Sequence, residues 1–192
     1  DTVATDEDTA VAIDVGTNDS LLSGVTATIG ITVAPLNGTV TISGTTVTYT
    51  PSANFNGADS FTYSVTQNSE SATAVVTISV APVNDAPSID SPLSLRAVSG
   101  STAVATLSIS DVDGDAVTFS LEGTDAGSFA LSSDGVLTFK AAPDFFAQSS
   151  YTVIIVASDG TLTTRQTITI SVFRAQTTGF EVPDSIAVIE TL

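Results

Sequence analysis

The chain lacks cysteine, histidine, tryptophan and methionine, and it has only four basic residues against 21 acidic ones. Without thiols or imidazoles there is no cysteine nucleophile, no Ser-His-Asp relay, and no nitrogen or sulfur ligand for zinc. The formal net charge of −17 repels phosphate, which disfavours nucleic acids and anionic lipids as partners. No apolar run is long enough to predict membrane insertion. What remains is carboxylate chemistry, either acid and base catalysis or the binding of hard cations.

Apolar residues alternate with polar ones and do not recur at helical spacing, which predicts strands. Two alternating runs within residues 39–49 flank Ser43 and Gly44, and this arrangement is typical of a β-hairpin. About seven short strands are expected in each half, separated by turns every ten or so residues. This pattern predicts an all-β fold of two tandem antiparallel Greek-key β-sandwiches.

An internal repeat fixes the number of modules. A shift of 92 residues places Pro51 on Pro143 and Val76 on Ile168 without a gap. The repeat predicts one module over residues 1–82 and a second over residues 83–174, each close to the size of an immunoglobulin-like sandwich. Residues 175–192 are either a tail or the first strand of a truncated third module, with the strand over residues 185–190.

The strongest local signal for chemistry is the DVDGD segment at residues 111–115. Its three carboxylates, at alternate positions around a glycine turn, can direct their oxygens to one cation. Calcium accepts six to eight oxygen ligands in flexible geometry, whereas magnesium requires stricter geometry. The alternative is an acidic turn that is simply hydrated, because turns often collect aspartate and glycine.

The junction between the modules is a second signal. It reads PVNDAP over residues 82–87, so two prolines stiffen a short linker while Asn84 and Asp85 offer oxygen ligands between them.

This junction is similar to the linker of cadherin repeats. The whole chain resembles the bacterial cadherin-like and immunoglobulin-like repeats that occur in tandem in large secreted surface adhesins, including those of the RTX type. The resemblance rests on these motifs: TDEDTA at 5–10, NGTV at 37–40, TYTP at 48–51, NFNGADSFTY at 54–63, VNDAP at 83–87, DVDGD at 111–115, PDF at 143–145 and ASDG at 157–160. It covers nearly 170 residues and implies a cadherin-like or immunoglobulin-like sandwich in each module.

The resemblance also implies calcium as the cofactor, bound where successive modules meet. The candidate metal ligands are Glu7, Asn84, Asp85, Asp111, Asp113, Asp115, Asp144 and Asp159. Several family positions differ here, since Pro82 stands where the linker usually has its first aspartate and Gln67 replaces an aspartate of the first module. One or two ions are therefore expected instead of three. Of the paired-aspartate loop, the first module keeps only a remnant at Asn18 and Asp19. Its outer end is therefore expected to bind calcium weakly or not at all. No calcium site is expected beyond the second module.

The function implied is that of a non-catalytic, calcium-rigidified spacer in an extracellular bacterial adhesin, at the cell surface or secreted. Its partners are then the neighbouring repeats of the same chain. One alternative is a ligand-binding module for a carbohydrate, a protein or a second copy of the chain. Another is an accessory region of a secreted enzyme. Catalysis by the chain itself is not expected, because no aromatic sugar-binding platform accompanies Asp144 and Asp159.

Overall fold

The structure is a computed structural model that describes residues 1–16 and 26–174. It divides into two compact units, Asp1–Asn84 and Asp85–Leu192. The predicted boundary lies two residues earlier, and Val83 stays with the first unit because it donates its N–H to Glu7 there. The remnant at Asn18 and Asp19 and the segment 175–192 lie outside the described residues.

The first unit contains seven described strands. They are β1 (Thr2–Asp6), β2 (Val11–Asp14), β3 (Thr28–Val33), β4 (Gly38–Ser43), β5 (Thr46–Pro51), β6 (Gly57–Gln67) and β7 (Glu70–Ala81). One sheet has the order β1-β7-β6-β3, and the other has the order β2-β5-β4. The predicted hairpin is present between β4 and β5, and Gly44 supplies the positive φ of 64° that its turn requires.

Alternate residues of these strands form the core of the first unit. The fully buried side chains include Val47 and Tyr49 from one sheet and Phe61, Tyr63 and Val76 from the other. The polar residues between them face outward, as the period-two pattern predicts.

The second unit contains nine described strands and one short 3₁₀ helix. They are β8 (Ser88–Ile89), β9 (Ser94–Val98), β10 (Ala103–Thr106), β11 (Ile109–Ser110), β12 (Thr118–Glu122), the 3₁₀ helix (Ala126–Ser128), β13 (Phe129–Leu131), β14 (Val136–Phe139), β15 (Ser150–Ser158) and β16 (Thr163–Phe173). The larger sheet has the order β12-β15-β16-β9 and the smaller has the order β10-β14-β13, with β8 and β11 as a separate pair.

An aromatic cluster lies in the core of the second unit. The rings of Phe129 and Phe139 are 4.3 Å apart, and Tyr151 packs edge-on to both at 5.6 and 5.0 Å. Val153 and Ile168 complete the buried layer. The predicted all-β sandwich fold is confirmed in both units, and no helix in the described part of the chain is long and apolar enough to cross a membrane.

Each unit pairs an early strand with its last strand in parallel. β1 runs beside β7, and β9 runs beside β16. All other strand pairs in the described residues are antiparallel. The chain therefore enters each unit at one end, called here the entry end, and leaves it at the opposite, or exit, end.

Candidate metal centre

The aspartate loop of the second unit joins β11 to β12 and is folded around one side chain. The Oδ1 atom of Asp111 accepts hydrogen bonds from the N–H groups of Asp113 (3.0 Å) and Asp115 (3.3 Å). Gly114 donates its N–H to the carbonyl of Asp111 at 3.3 Å and adopts φ +80°, which favours glycine. The loop thus holds the carboxylate of Asp111 in a fixed orientation.

The second oxygen of Asp111 is the notable atom of this loop. Asp111 Oδ2 is buried and accepts no hydrogen bond from any described residue. A buried, charged oxygen without a partner is costly, unless a cation or an ordered water lies against it. Its chemistry fits a hard cation such as calcium.

Asp85 and Asp113 lie next to each other in the second unit. The N–H of Asp85 donates to Asp113 Oδ2 at 2.8 Å, and the two residues have carboxylate oxygens within 4.8 Å of each other. Two carboxylates this close repel one another unless a proton or a cation lies between them. Asp85, Asp111 and Asp113 are thus brought together at the entry end of the second unit.

Asp159 lies at the same end of the second unit, in the turn between β15 and β16. Thr118, the first residue of β12, pairs with Ser158, so this turn is beside the aspartate loop. Asp159 Oδ1 accepts hydrogen bonds from Thr161 and Leu162, both at 2.6 Å. One oxygen of this carboxylate therefore stabilises its own turn.

Asp144 lies at the opposite, exit end of the second unit. Its neighbour Pro143 accepts a hydrogen bond from Gly100, which follows β9, and Asp144 Oδ1 accepts one from Phe146. Beside it the guanidinium of Arg174 lies 4.4 Å from the ring centroid of Phe146. The structure does not bring Asp144 to Asp85, Asp111 or Asp113 of the same unit.

In the first unit, Glu7 follows β1 at the exit end. Its side chain is only 3% exposed, and its Oε1 accepts a hydrogen bond of 2.6 Å from the N–H of Val83. The first unit contains no lysine or arginine, so no basic side chain of its own neutralises this buried carboxylate. Asn84, the last residue of the unit, is exposed.

One buried carboxyl group was not singled out by the sequence analysis as an individual site. Asp59 is 8% exposed and accepts hydrogen bonds from the N–H groups of Leu36, Asn37 and Ser60 and from the hydroxyl of Tyr49, at 2.8–3.1 Å. Burial alone would raise the pKa of Asp59, but these hydrogen bonds outweigh it and lower the pKa below its ordinary value. The pKa of Tyr49 is raised, mainly by burial and further by the adjacent carboxylate of Asp59. The motifs at 37–40, 48–51 and 54–63 contain four of these residues, and those four stabilise the fold.

The two units match two bacterial domain families. Residues 1–79 match the family model described as a bacterial Ig domain, and residues 84–174 match that of a bacterial cadherin-like domain. The chain is thus similar to a bacterial Ig domain followed by a bacterial cadherin-like domain. The predicted resemblance to bacterial cadherin-like and immunoglobulin-like repeats is thereby confirmed for both modules. Domains of these families are consistent with an adhesion-type extracellular repeat.

Solved cadherin structures share this fold. Mouse cadherin-23 EC22-24 matches 91% of the chain at 19% identity with a TM-score of 0.52, and the chain spans 62% of that protein's solved length. The human desmocollin-1 ectodomain matches 91% of the chain at 14% identity with a TM-score of 0.57, and the chain spans 39% of that protein's solved length. At these identities the likeness shows the fold alone. No curated protein sequence matches the chain.

Proposed function

We propose that this chain is a non-catalytic spacer of an extracellular adhesive protein, and that calcium bound beside the linker holds its two units rigidly in series. In this proposal Asp85, Asp111 and Asp113 bind the ion from the second unit, and Glu7 and Asn84 supply ligands from the first. The observation that carries the proposal is the buried Oδ2 of Asp111, which has no hydrogen-bond donor among the described residues.

The charge of these groups supports a divalent cation. Glu7, Asp85, Asp111 and Asp113 are all acids, and no lysine or arginine lies between residues 1 and 95 of the chain. Calcium would supply the positive charge and accept several oxygen ligands at once. Because Asp85 follows Asn84 directly, ligands on either side of this peptide bond would restrict the rotation of the linker.

The expected affinity suits an extracellular role. Calcium sites of extracellular modules have dissociation constants of about 10⁻⁴ to 10⁻³ M. At ten times its dissociation constant, calcium would stabilise the bound state by about 1.4 kcal/mol per site. Calcium would thus hold the joint rigid outside the cell and leave it flexible at cytosolic concentrations.

Calcium titration of the unfolding temperature tests the site. For a unit of this size, about 1.4 kcal/mol corresponds to a rise of roughly 6–11 °C. Asp113→Asn should abolish most of this rise, because it removes a charged ligand and leaves the loop hydrogen bonds of Asp111 in place. Asp144→Asn is the matched control, since it removes the same charge at the exit end, and it should respond to calcium as the unchanged chain does. Equal calcium responses of all three proteins would refute the ligand assignment.

X-ray scattering of the same proteins tests the rigidity. Calcium should narrow the distribution of interatomic distances and raise the maximum dimension of the unchanged chain and of Asp144→Asn, but not of Asp113→Asn. A calcium-stabilised chain whose scattering is unaltered by the ion would support the metal site and exclude the spacer mechanism.

A further inference from the structure

The described edge strands differ in how well they are protected against pairing with another chain. A sheet edge exposes unpaired N–H and C=O groups, and charges, irregular register or short length discourage pairing there. β1, β2, β9 and β12 carry Asp6, Asp14, Arg96 and Glu122, respectively. β3 and β10 have register shifts, β13 is three residues long, and β8 and β11 are two residues long each.

β4 has none of these protections. It is six residues long, contains no charge and no proline, and pairs with β5 in unbroken register from Gly38 to Ser43. Among the described strands none pairs with its other side, so β4 is an edge of the β2-β5-β4 sheet there. Ile42 is 42% exposed although it is apolar, and Thr39, Thr41 and Ser43 are exposed as well. An uncharged, regular edge with strong β-propensity is a template for strand addition.

The side chains of β4 are complementary to themselves. They alternate between hydroxyl and β-branched aliphatic groups about Thr41. In an antiparallel pair related by a two-fold axis at Thr41, Val40 of each copy lies opposite Ile42 of the other, and Thr39 lies opposite Ser43. The same combinations already occur inside the sheet, where Ile42 pairs with Val47 and Ser43 pairs with Thr46. Such pairing would also cover Ile42, which is exposed in the single chain.

We propose that β4 is an interface through which a second copy of this chain extends the β2-β5-β4 sheet, antiparallel and centred on Thr41. A second copy fits this edge better than a charged peptide does, because the strand offers no charge to such a peptide and its side-chain pattern matches itself. The net charge of −17 on each copy opposes the encounter, but salt near 0.15 M reduces the screening length to about 8 Å. The interface involves none of the candidate calcium ligands.

Sedimentation equilibrium of the full chain tests the interface, in a calcium chelator and at near-physiological salt. The unchanged chain should form dimers as its concentration rises. Thr41→Lys should weaken the dimer about tenfold or more, because two lysines then face each other at the two-fold axis. Thr50→Lys is the matched control, with the same change of charge on an exposed residue of the inner strand β5, and it should dimerise normally.

A mixture of Thr41→Lys and Thr41→Glu gives the decisive result, because opposite charges then meet at the axis. The mixture should form a heterodimer at concentrations where neither variant dimerises alone. Circular dichroism should show that both variants fold, since Thr41 is exposed. The proposal is overturned if the unchanged chain is monomeric at every concentration. It is equally overturned if Thr41→Lys dimerises as well as the unchanged chain, or if the mixture behaves as the separate variants do.

Discussion

At the scale of single residues, Asp59 shows how an acid becomes part of the core. Its carboxylate receives three backbone N–H groups from two chain segments and the hydroxyl of Tyr49. The Asn37 carbonyl, in turn, accepts the N–H of Ser52 at 2.8 Å. This network fixes the β3–β4 loop against β5 and β6, so these positions of the family motif stabilise the fold.

We expect Asp59→Asn to destabilise the first unit by about 1–3 kcal/mol, because an amide NH₂ would face donors in place of an acceptor. The folded-state pKa of Asp59 is lowered, so its contribution is complete above the unfolded pKa near 3.8 and is lost as the pH falls through the folded value. Urea unfolding from roughly pH 2 to pH 7, the range in which carboxyl groups titrate, measures both the destabilisation and its pH dependence.

The same network predicts a loss of stability in alkali. Because the pKa of Tyr49 is raised in the fold, its contribution is present below its unfolded value near 10 and declines above it. Tyr49→Phe should remove this alkaline decline and cost about 1 kcal/mol at neutral pH.

If Asp59→Asn kept the full acid dependence of the unchanged chain, another carboxyl group would be responsible for it.

At the scale of elements, the start of β4 depends on the absence of a side chain. A Cβ atom at Gly38 would lie 2.5 Å from the Tyr49 ring and 2.6 Å from the carbonyl oxygen of Thr50, which is backbone. Gly38→Ala should therefore destabilise the first unit by about 1–3 kcal/mol through overpacking. Gly127→Ala, where a Cβ meets nothing within 4 Å, is the control and should cost little. Thermal unfolding compares the two variants, and equal effects would contradict the steric argument.

The number of strands between two residues decides whether they lie at the same end of a sandwich, and this limits what the sequence predicts about the candidate site. The alternation of apolar residues predicts the long strands and the β4–β5 hairpin, and the spacing in DVDGD predicts a loop that gathers carboxylates. Asp144 follows β13 and β14, and each of these strands carries the chain from one end of the sandwich to the other. Both are short, and the sequence does not predict them individually. Three strands separate Asp144 from the aspartate loop, so it lies at the opposite end, and the fourth strand, β15, returns the chain to the entry end at Asp159.

At the scale of the whole molecule, the charge distribution is strongly one-sided. The first unit carries eight acidic residues and no lysine or arginine, and the second carries ten acidic residues between positions 85 and 174 against four basic ones. Self-repulsion of this kind opposes the compact state and is reduced by salt. The fold therefore has to be stable against its own charge when no divalent ion is bound.

We expect the unfolding temperature in chelator to rise when sodium chloride is raised from about 0.01 M to 0.15 M, since the screening length falls from about 30 Å to about 8 Å. Differential scanning calorimetry measures the rise. If calcium fills the proposed site, the rise in saturating calcium should be smaller, because the bound ion would then neutralise carboxylates. An unfolding temperature that ignores salt in chelator would show that repulsion among these acids is unimportant.

The parallel pairing of β1 with β7, and of β9 with β16, has a mechanical consequence. When opposite ends of such a unit are pulled, the two strands slide lengthwise against each other, and the hydrogen bonds between them are loaded together. An antiparallel terminal pair would instead be peeled apart one bond at a time. We therefore expect each unit to resist such a pull better than a unit closed by an antiparallel terminal pair.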